Sequence, residues 1–198
     1  MARPQTFESD VVLAKTMQVF WKNGYANTSV KDLTLATDLQ PGSLYGAFKN
    51  KRQLFIDSLD CYFEHLYSVV CSILNSSKDP KNRIHDFFDY LTNTVSKDVD
   101  NKSCMLVNTL LEIPPSDREI NHRVTAMFRK IEKEFVKVLE QAKQQGGLSK
   151  KAEPVNMAKT LMSGIFGLQV YNRMQTNPES LEHIVNNLLS ILENNEKA

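Results

Sequence analysis

The sequence predicts an all-α fold of about nine helices, and three observations carry that prediction. Apolar residues return at three- and four-residue steps along most of the chain. No stretch keeps the strict apolar–polar alternation of a half-buried strand. Proline stands in the first turn of several periodic runs, at Pro41, Pro80, Pro154 and Pro178, where its missing amide hydrogen costs nothing.

Composition sets the class. With 41% hydrophobic and 24% charged residues, and only seven glycines and seven prolines, the 198-residue chain reads as a folded globular protein rather than a disordered or collagenous one. No segment approaches the roughly 18 uninterrupted apolar residues of a membrane span, and the start MARPQTFESD lacks the apolar core of a signal peptide. A cytoplasmic location without membrane contact is expected. Cys61, Cys71 and Cys104 are odd in number and lack C-x-x-C spacing, which suits a reducing compartment and argues against a disulfide framework or structural zinc. No metal and no cofactor are expected.

The first helix is expected to bury Leu13, Ala14, Met17, Phe20 and Trp21 and to stop at Gly24. The second opens at Ser29, spaced from Asp32 as an N-terminal cap, and runs about two turns with Val30, Leu33 and Ala36 inward. The third starts at Pro41, with Leu44 and Phe48 facing the core at i,i+4. Two short helices with this separation have helix-turn-helix spacing. On the third, Gln40, Ser43, Tyr45, Gly46 and Ala47 are left outward; they are small or hydrogen-bonding and uncharged, a face that fits a major groove. Lys49, Lys51 and Arg52 follow as cations at the level of the phosphates. Through residue 52 the bases Arg3, Lys15, Lys22, Lys31, Lys49, Lys51 and Arg52 outnumber Glu8, Asp10, Asp32 and Asp38 by three, although the whole chain carries only +1.

A long fourth helix follows, capped by Asn50 with Gln53, its stripe running through Phe55, Leu59, Tyr62, Leu66, Val69 and Ile73. Two shorter helices are expected over about 80–97 and 104–112, with a polar loop from Lys97 to Lys102 between them. Ile120, Val124, Phe128, Ile131, Phe135, Val138 and Ala142 make another long stripe, opened by Ser116 with Glu119 and closed by Gly146-Gly147. The last two helices are expected over about 154–175 and 178–193, before a charged tail.

Residues 7–55 resemble the Tet repressor family, through Phe20, Gly24-Tyr25, Thr28-Ser29-Val30, Asp32-Leu33 and the run from Gly42-Ser43-Leu44-Tyr45-Gly46-Ala47-Phe48 to Lys49-Asn50-Lys51. The resemblance implies a helix-turn-helix DNA-binding domain over 1–50 and an effector-binding and dimerisation domain over 51–198. It implies that Thr28 caps onto a phosphate, that Gln40, Pro41, Gly42 and Ser43 begin the recognition helix, that Tyr45 grips backbone or base, and that Lys49 and Lys51 bind phosphate. With Ser29 and Lys31 these form the expected DNA-binding set. Two positions depart from the family: Asp38 stands where glycine is common, and Pro41 where lysine is. Asp tolerates left-handed geometry, so the turn is expected to survive.

The resemblance further implies a homodimer through the last two helices, whose Met162, Ile165, Phe166, Leu168, Val170 and Tyr171 with Leu181, Ile184, Val185, Leu188 and Leu192 exceed one face of apolar surface. It implies a small-molecule effector between the fourth helix and those after it, at Leu66, Tyr67, Phe87, Phe88, Leu91, Met105, Phe128, Phe166 and Gln169. The expected partners are therefore double-stranded operator DNA, an effector and a second copy of the chain. The expected mechanism is repression relieved when ligand tilts the fourth helix and changes the spacing of the two DNA-binding heads. Some relatives place a reactive thiol where Cys104 stands, so an alternative is a redox or electrophile sensor in which Lys102 and the helix start favour the Cys104 thiolate. Another alternative is a helical interaction module without sequence-specific DNA binding. An enzyme is not expected: His65, His85, His122 and His183 fall on different predicted helices, and no phosphate loop, nucleophile elbow or H-E-x-x-H is present.

Overall fold

The computed structural model describes residues 9–98, 100, 102–174 and 178–193, and among them the chain forms nine α-helices and no strand. They are α1 (Ser9–Asn23), α2 (Val30–Thr37), α3 (Pro41–Phe48), α4 (Lys51–Leu74), α5 (Pro80–Ser96), α6 (Met105–Glu112), α7 (Arg118–Gln144), α8 (Pro154–Asn172) and α9 (Pro178–Leu189), with a closing 3-10 turn at Ser190–Leu192. The expected end of α8 at residue 175 and the tail beyond Glu193 lie outside the described residues, as do two residues of the loop before Lys102. Among the described residues no helix is long and apolar enough to cross a membrane.

Helices α1 to α3 form a small head around Phe20, Leu33, Leu44 and Phe48. Helix α4 runs from this head into the body, packing on α1 and α3 at one end and on α5, α6 and α7 along the rest. Phe20 and Tyr25 meet Phe55 of α4 at ring-centroid distances of 5.1 and 4.8 Å, so the head is seated on α4 by aromatic contact. Arg123 of α7 grips Asp60 of α4 through one guanidinium nitrogen, at 2.6 and 2.8 Å. In α8, a Cβ on Gly164 would stand 2.2 Å from a Leu188 methyl, so the missing side chain is what lets α9 approach.

Three helix faces and one cap differ from expectation. In α1 the buried residues are Val12, Thr16 and Phe20; Leu13, Met17 and Trp21 are half-buried and Ala14 is exposed, because Thr16 turns inward to meet Ser58 of α4 at 3.2 Å. In α2, Val30 is exposed while Leu33 is fully buried. In α4, Phe55 and Leu59 are buried as expected, but the row continues through Phe63, Val70 and Leu74, leaving Tyr62, Leu66, Val69 and Ile73 half-buried. The expected stripe advances by sevens, and a straight helix drifts about 20° per heptad from that repeat, so it leaves the core as α4 lengthens. In α7 the cap is Asp117, whose carboxylate accepts from the Ile120 amide at 3.2 Å, and not Ser116.

Candidate nucleic-acid interface

The head's turn chemistry is local. Ser29 caps α2, accepting from the Asp32 amide at 3.2 Å, while Asp32 accepts from the Ser29 amide at 2.8 Å and hydroxyl at 2.7 Å. Those bonds, the hydroxyl one foremost, hold the Asp32 carboxyl below the usual carboxylate range. The chain leaves α2 through Asp38 in the left-handed conformation (φ 60°, ψ 29°), as its residue type allows. Pro41 then opens α3, and Gln40 precedes it with no cap bond from its side chain.

Helix α3 is divided sharply between two faces. Leu44 and Phe48 are buried, whereas Gln40, Pro41, Gly42, Gly46 and Ala47 are exposed and Ser43 and Tyr45 are half-buried. A Cβ added at Gly42 or Gly46 would meet nothing within 4 Å. Packing therefore does not require either glycine, although each weakens the helix by about 1 kcal/mol relative to alanine. A local rule broken without internal reward is the mark of a surface kept bare for something that docks closely.

The flanking groups divide. Lys31 and Lys49 are exposed and, among the described residues, enter no ion pair. Lys51 lies with its ammonium 4.6 Å from the Tyr25 ring centre, which leaves the charge at the surface. Thr28 is a correction: it is buried and its hydroxyl donates to the Gly24 carbonyl at 2.6 Å, so its side chain closes the α1–α2 turn instead of facing a phosphate. Arg52 is a second correction, because its guanidinium is spent on Asp117 at 2.6 and 2.9 Å and on Glu119 at 2.9 Å. The Tyr45 hydroxyl is buried without a hydrogen-bond partner among the described residues, and burial, with a smaller contribution from Tyr25, pushes its pKa up.

The expected effector residues fall into separate groups. Phe87 and Phe88 pack edge-on at 5.6 Å, and Phe87 meets Phe135 at 5.0 Å. Phe128 and Phe166 pair at 4.7 Å. Tyr67 stacks on Phe63 at 5.3 Å and donates to Glu134 at 2.9 Å. That bond is the main reason the Tyr67 hydroxyl is held well above its ordinary value. Gln169 accepts from the Ser103 hydroxyl at 2.9 Å, Leu91 and Met105 are buried, and Leu66 is half-buried. Two surface cavities, of about 480 and 360 Å³, are lined by Arg118, Glu119, His122 and Arg123 and by the junction of α1 with α6, and no expected effector residue lines either. The aromatic side chains that suggested a pocket fill one another's space.

Cys104 is buried, with the Tyr62 hydroxyl 3.6 Å from its sulfur. Burial pushes the thiol up, outweighing the Val107 and Leu106 amides and the Tyr62 hydroxyl that pull it down. Lys102 does not assist: its ammonium lies over the Trp21 ring at 4.8 Å and 3.6 Å from Asp100. The arrangement is that of an inert structural cysteine.

Ser103 and Glu112, to which the sequence assigns no role, tie head to body. The Trp21 indole donates to the Ser103 carbonyl at 2.6 Å, and the Glu112 carboxylate accepts from the Tyr25 and Ala26 amides at 3.0 and 2.6 Å. Only Glu112 carried a signal, an acid at the end of the apolar run MLVNTLLE.

Residues 12–57 match the family described as bacterial regulatory proteins, tetR family, and residues 80–188 match the tetracyclin repressor-like C-terminal domain. The HTH-type transcriptional regulator YezE of Bacillus subtilis (strain 168) is 27% identical over 194 residues, covering 98% of this chain and 100% of that protein. The HTH-type transcriptional repressor ComR of Escherichia coli (strain K12) is 25% identical over 190 residues, covering 96% and 90%. Among solved structures, a cysteine-substituted TetR family regulator CifR complexed with double-strand operator DNA superposes with a TM-score of 0.85 at 24% identity, over 94% of this chain and 98% of that one. A TetR family regulator from Cytophaga hutchinsonii superposes at 0.84 and 20% identity, over 98% and 100%.

Proposed function

Because the chain belongs to the Tet repressor family of bacterial regulatory proteins, we propose that it is a homodimeric cytoplasmic repressor whose head binds operator DNA and whose body takes a small-molecule effector. It is a transcriptional regulator and not an enzyme. The observation that carries the DNA reading is the bare face of α3, where Gly42 and Gly46 open space that the fold does not need, beside the exposed cations Lys31 and Lys49. That face reads base edges at close range, with Gln40 and Ser43 supplying hydrogen bonds, while the Tyr45 hydroxyl stays buried and Lys31, Lys49, Lys51 and the Ser29 end of α2 meet the backbone. The head comprises residues 1–50 and the body 51–198, α4 opening at the boundary and serving both. Dimerisation through α8 and α9 is supported by Val155, Val170 and Met174, which α8 and its end leave exposed. Effector binding repacks the aromatic contacts of α7 with α5 and α8 and tilts α4, which respaces the heads.

The test is selection of bound duplexes from a random DNA library, followed by titration of the selected duplex at rising salt. Several phosphate contacts per head make affinity fall by orders of magnitude between roughly 50 and 200 mM salt. A flat response, or no selected sequence, refutes the reading.

A further inference from the structure

Glu112 ends α6, where the carbonyls of the last turn already carry partial negative charge, and α6 has no basic residue in that turn. A carboxylate there is disfavoured by the helix dipole. What offsets it comes from the head: the Tyr25 and Ala26 amides donate to its two oxygens at 3.0 and 2.6 Å. The same turn is closed from within, since the Gly24 amide donates to the Phe20 carbonyl at 2.8 Å and the Thr28 hydroxyl to the Gly24 carbonyl at 2.6 Å. Gly24 has φ +79°, and a Cβ there would stand 2.7 Å from Glu112, so this residue must be glycine both for its backbone and for the approach. Ser29, one residue beyond the turn, starts α2.

We propose that Glu112 is a positioning residue for operator binding: its carboxylate pins the α1–α2 turn to α6 and so sets the angle at which α2 and α3 are presented to DNA. The proposal rests on the operator-binding reading above. Its sign separates it from bulk electrostatics. Removing an acid from a polyanion-binding protein strengthens nonspecific attraction, whereas loss of the pin weakens specific binding because the turn must be ordered on the DNA.

The test uses the full-length dimer and the duplex it selects. Glu112→Ala is expected to raise the operator Kd by about fivefold to twentyfold, the scale for losing two charge-assisted bonds at a partly solvated site. The active fraction and salt slope stay those of the parent. Glu112→Gln, keeping one acceptor oxygen, falls between, and Asp10→Ala, a control acid on the exposed side of α1, binds as tightly as the parent or tighter. If Glu112→Ala, at parental active fraction, binds as well as or better than the parent, the proposal is overturned. If it merely lowers the active fraction with an unchanged Kd, Glu112 is structural and the proposal is likewise overturned. Failure of the parent itself to bind any duplex refutes the operator reading instead.

Discussion

Replacing Arg52 by alanine separates two tasks that a cation beside a recognition helix can have. Two of its nitrogens hold Asp117 at 2.6 and 2.9 Å, and one also reaches Glu119 at 2.9 Å. The Arg52, Asp117 and Glu119 side chains are 38%, 20% and 58% exposed, so water screens the pairs and the Glu119 arm contributes little. Exposed pairs are worth about 0.2–1 kcal/mol, and the two-pronged grip on Asp117 puts this one near the top of that range. Asp117 also caps α7, so Asp117→Asn removes the charge and keeps a capping oxygen, while Asp117→Ala removes both and costs a further ~1 kcal/mol. Urea unfolding at fixed dimer concentration should therefore rank Asp117→Ala as most destabilised, with Arg52→Ala and Asp117→Asn about equal and coupled in a double-mutant cycle. Arg52 holds the Asp117 carboxyl below its ordinary 3.8. A carboxyl depressed in the fold contributes stability above that ordinary value and loses it as pH falls through the folded value. The gap between parent and Arg52→Ala thus narrows below about pH 4. On DNA, Lys49→Ala should lower the salt slope by about one per head while Arg52→Ala leaves it unchanged. If Arg52→Ala lowers the slope as Lys49→Ala does, shows no coupling and leaves stability untouched, Arg52 faces phosphate and the clamp is wrong.

Three further outcomes are expected. Leu44→Ala empties a fully buried site and should cost about 2–4 kcal/mol, melting the head first, as read by Trp21 fluorescence; an unchanged midpoint would contradict the core assignment. Tyr45→Phe removes a buried hydroxyl without a partner, so thermal stability should hold or rise and operator affinity should be unchanged. A clear loss of stability would show that the hydroxyl is bonded within the fold. With a thiol-reactive dye, half-buried Cys61 and Cys71 should label before buried Cys104. Loss of the fastest phase in Cys104→Ser would refute its burial.

What the sequence disclosed is what short-range chemistry decides. Ser29 with Asp32, Asn50 before α4 and Gly24 after α1 each mark a boundary through bonds spanning at most four residues, and Pro41 and Pro154 mark theirs through their own fixed φ. The hidden residues are those committed across the chain. Nothing near Arg52 announces Asp117, 65 residues on, and nothing near Tyr25 announces Glu112, 87 residues on. Thr28 stands where a surface cap is expected, yet Gly24 turns the backbone so that its hydroxyl finds a carbonyl inside. Aromatic spacing shows that Phe87, Phe128 and Phe166 are apolar; whether they line a void or fill it depends on partners such as Phe135.

These long-range contacts share a property that bears on switching. Apart from α4 itself, the head meets the body through the Glu112 carboxylate, the Trp21–Ser103 bond and the surface contacts of Lys22 with Asp100 and of Lys102 with Gln18 and the Trp21 ring, all at best part-buried. The first two are each worth roughly 1 kcal/mol, where a buried leucine contact set is worth several. Allosteric coupling between two sites usually amounts to about 1–3 kcal/mol. An effector that disturbed α6 or the residues just before it by enough to lose two such joints would supply that energy without unfolding either domain. Ser103 is where the body would be felt first: in the left-handed conformation (φ 57°), it accepts from Trp21 of the head while its hydroxyl donates to the Gln169 backbone carbonyl of α8 at 2.6 Å. A shift of α8 therefore reaches α1 through one residue, by a route that does not need α4 to bend.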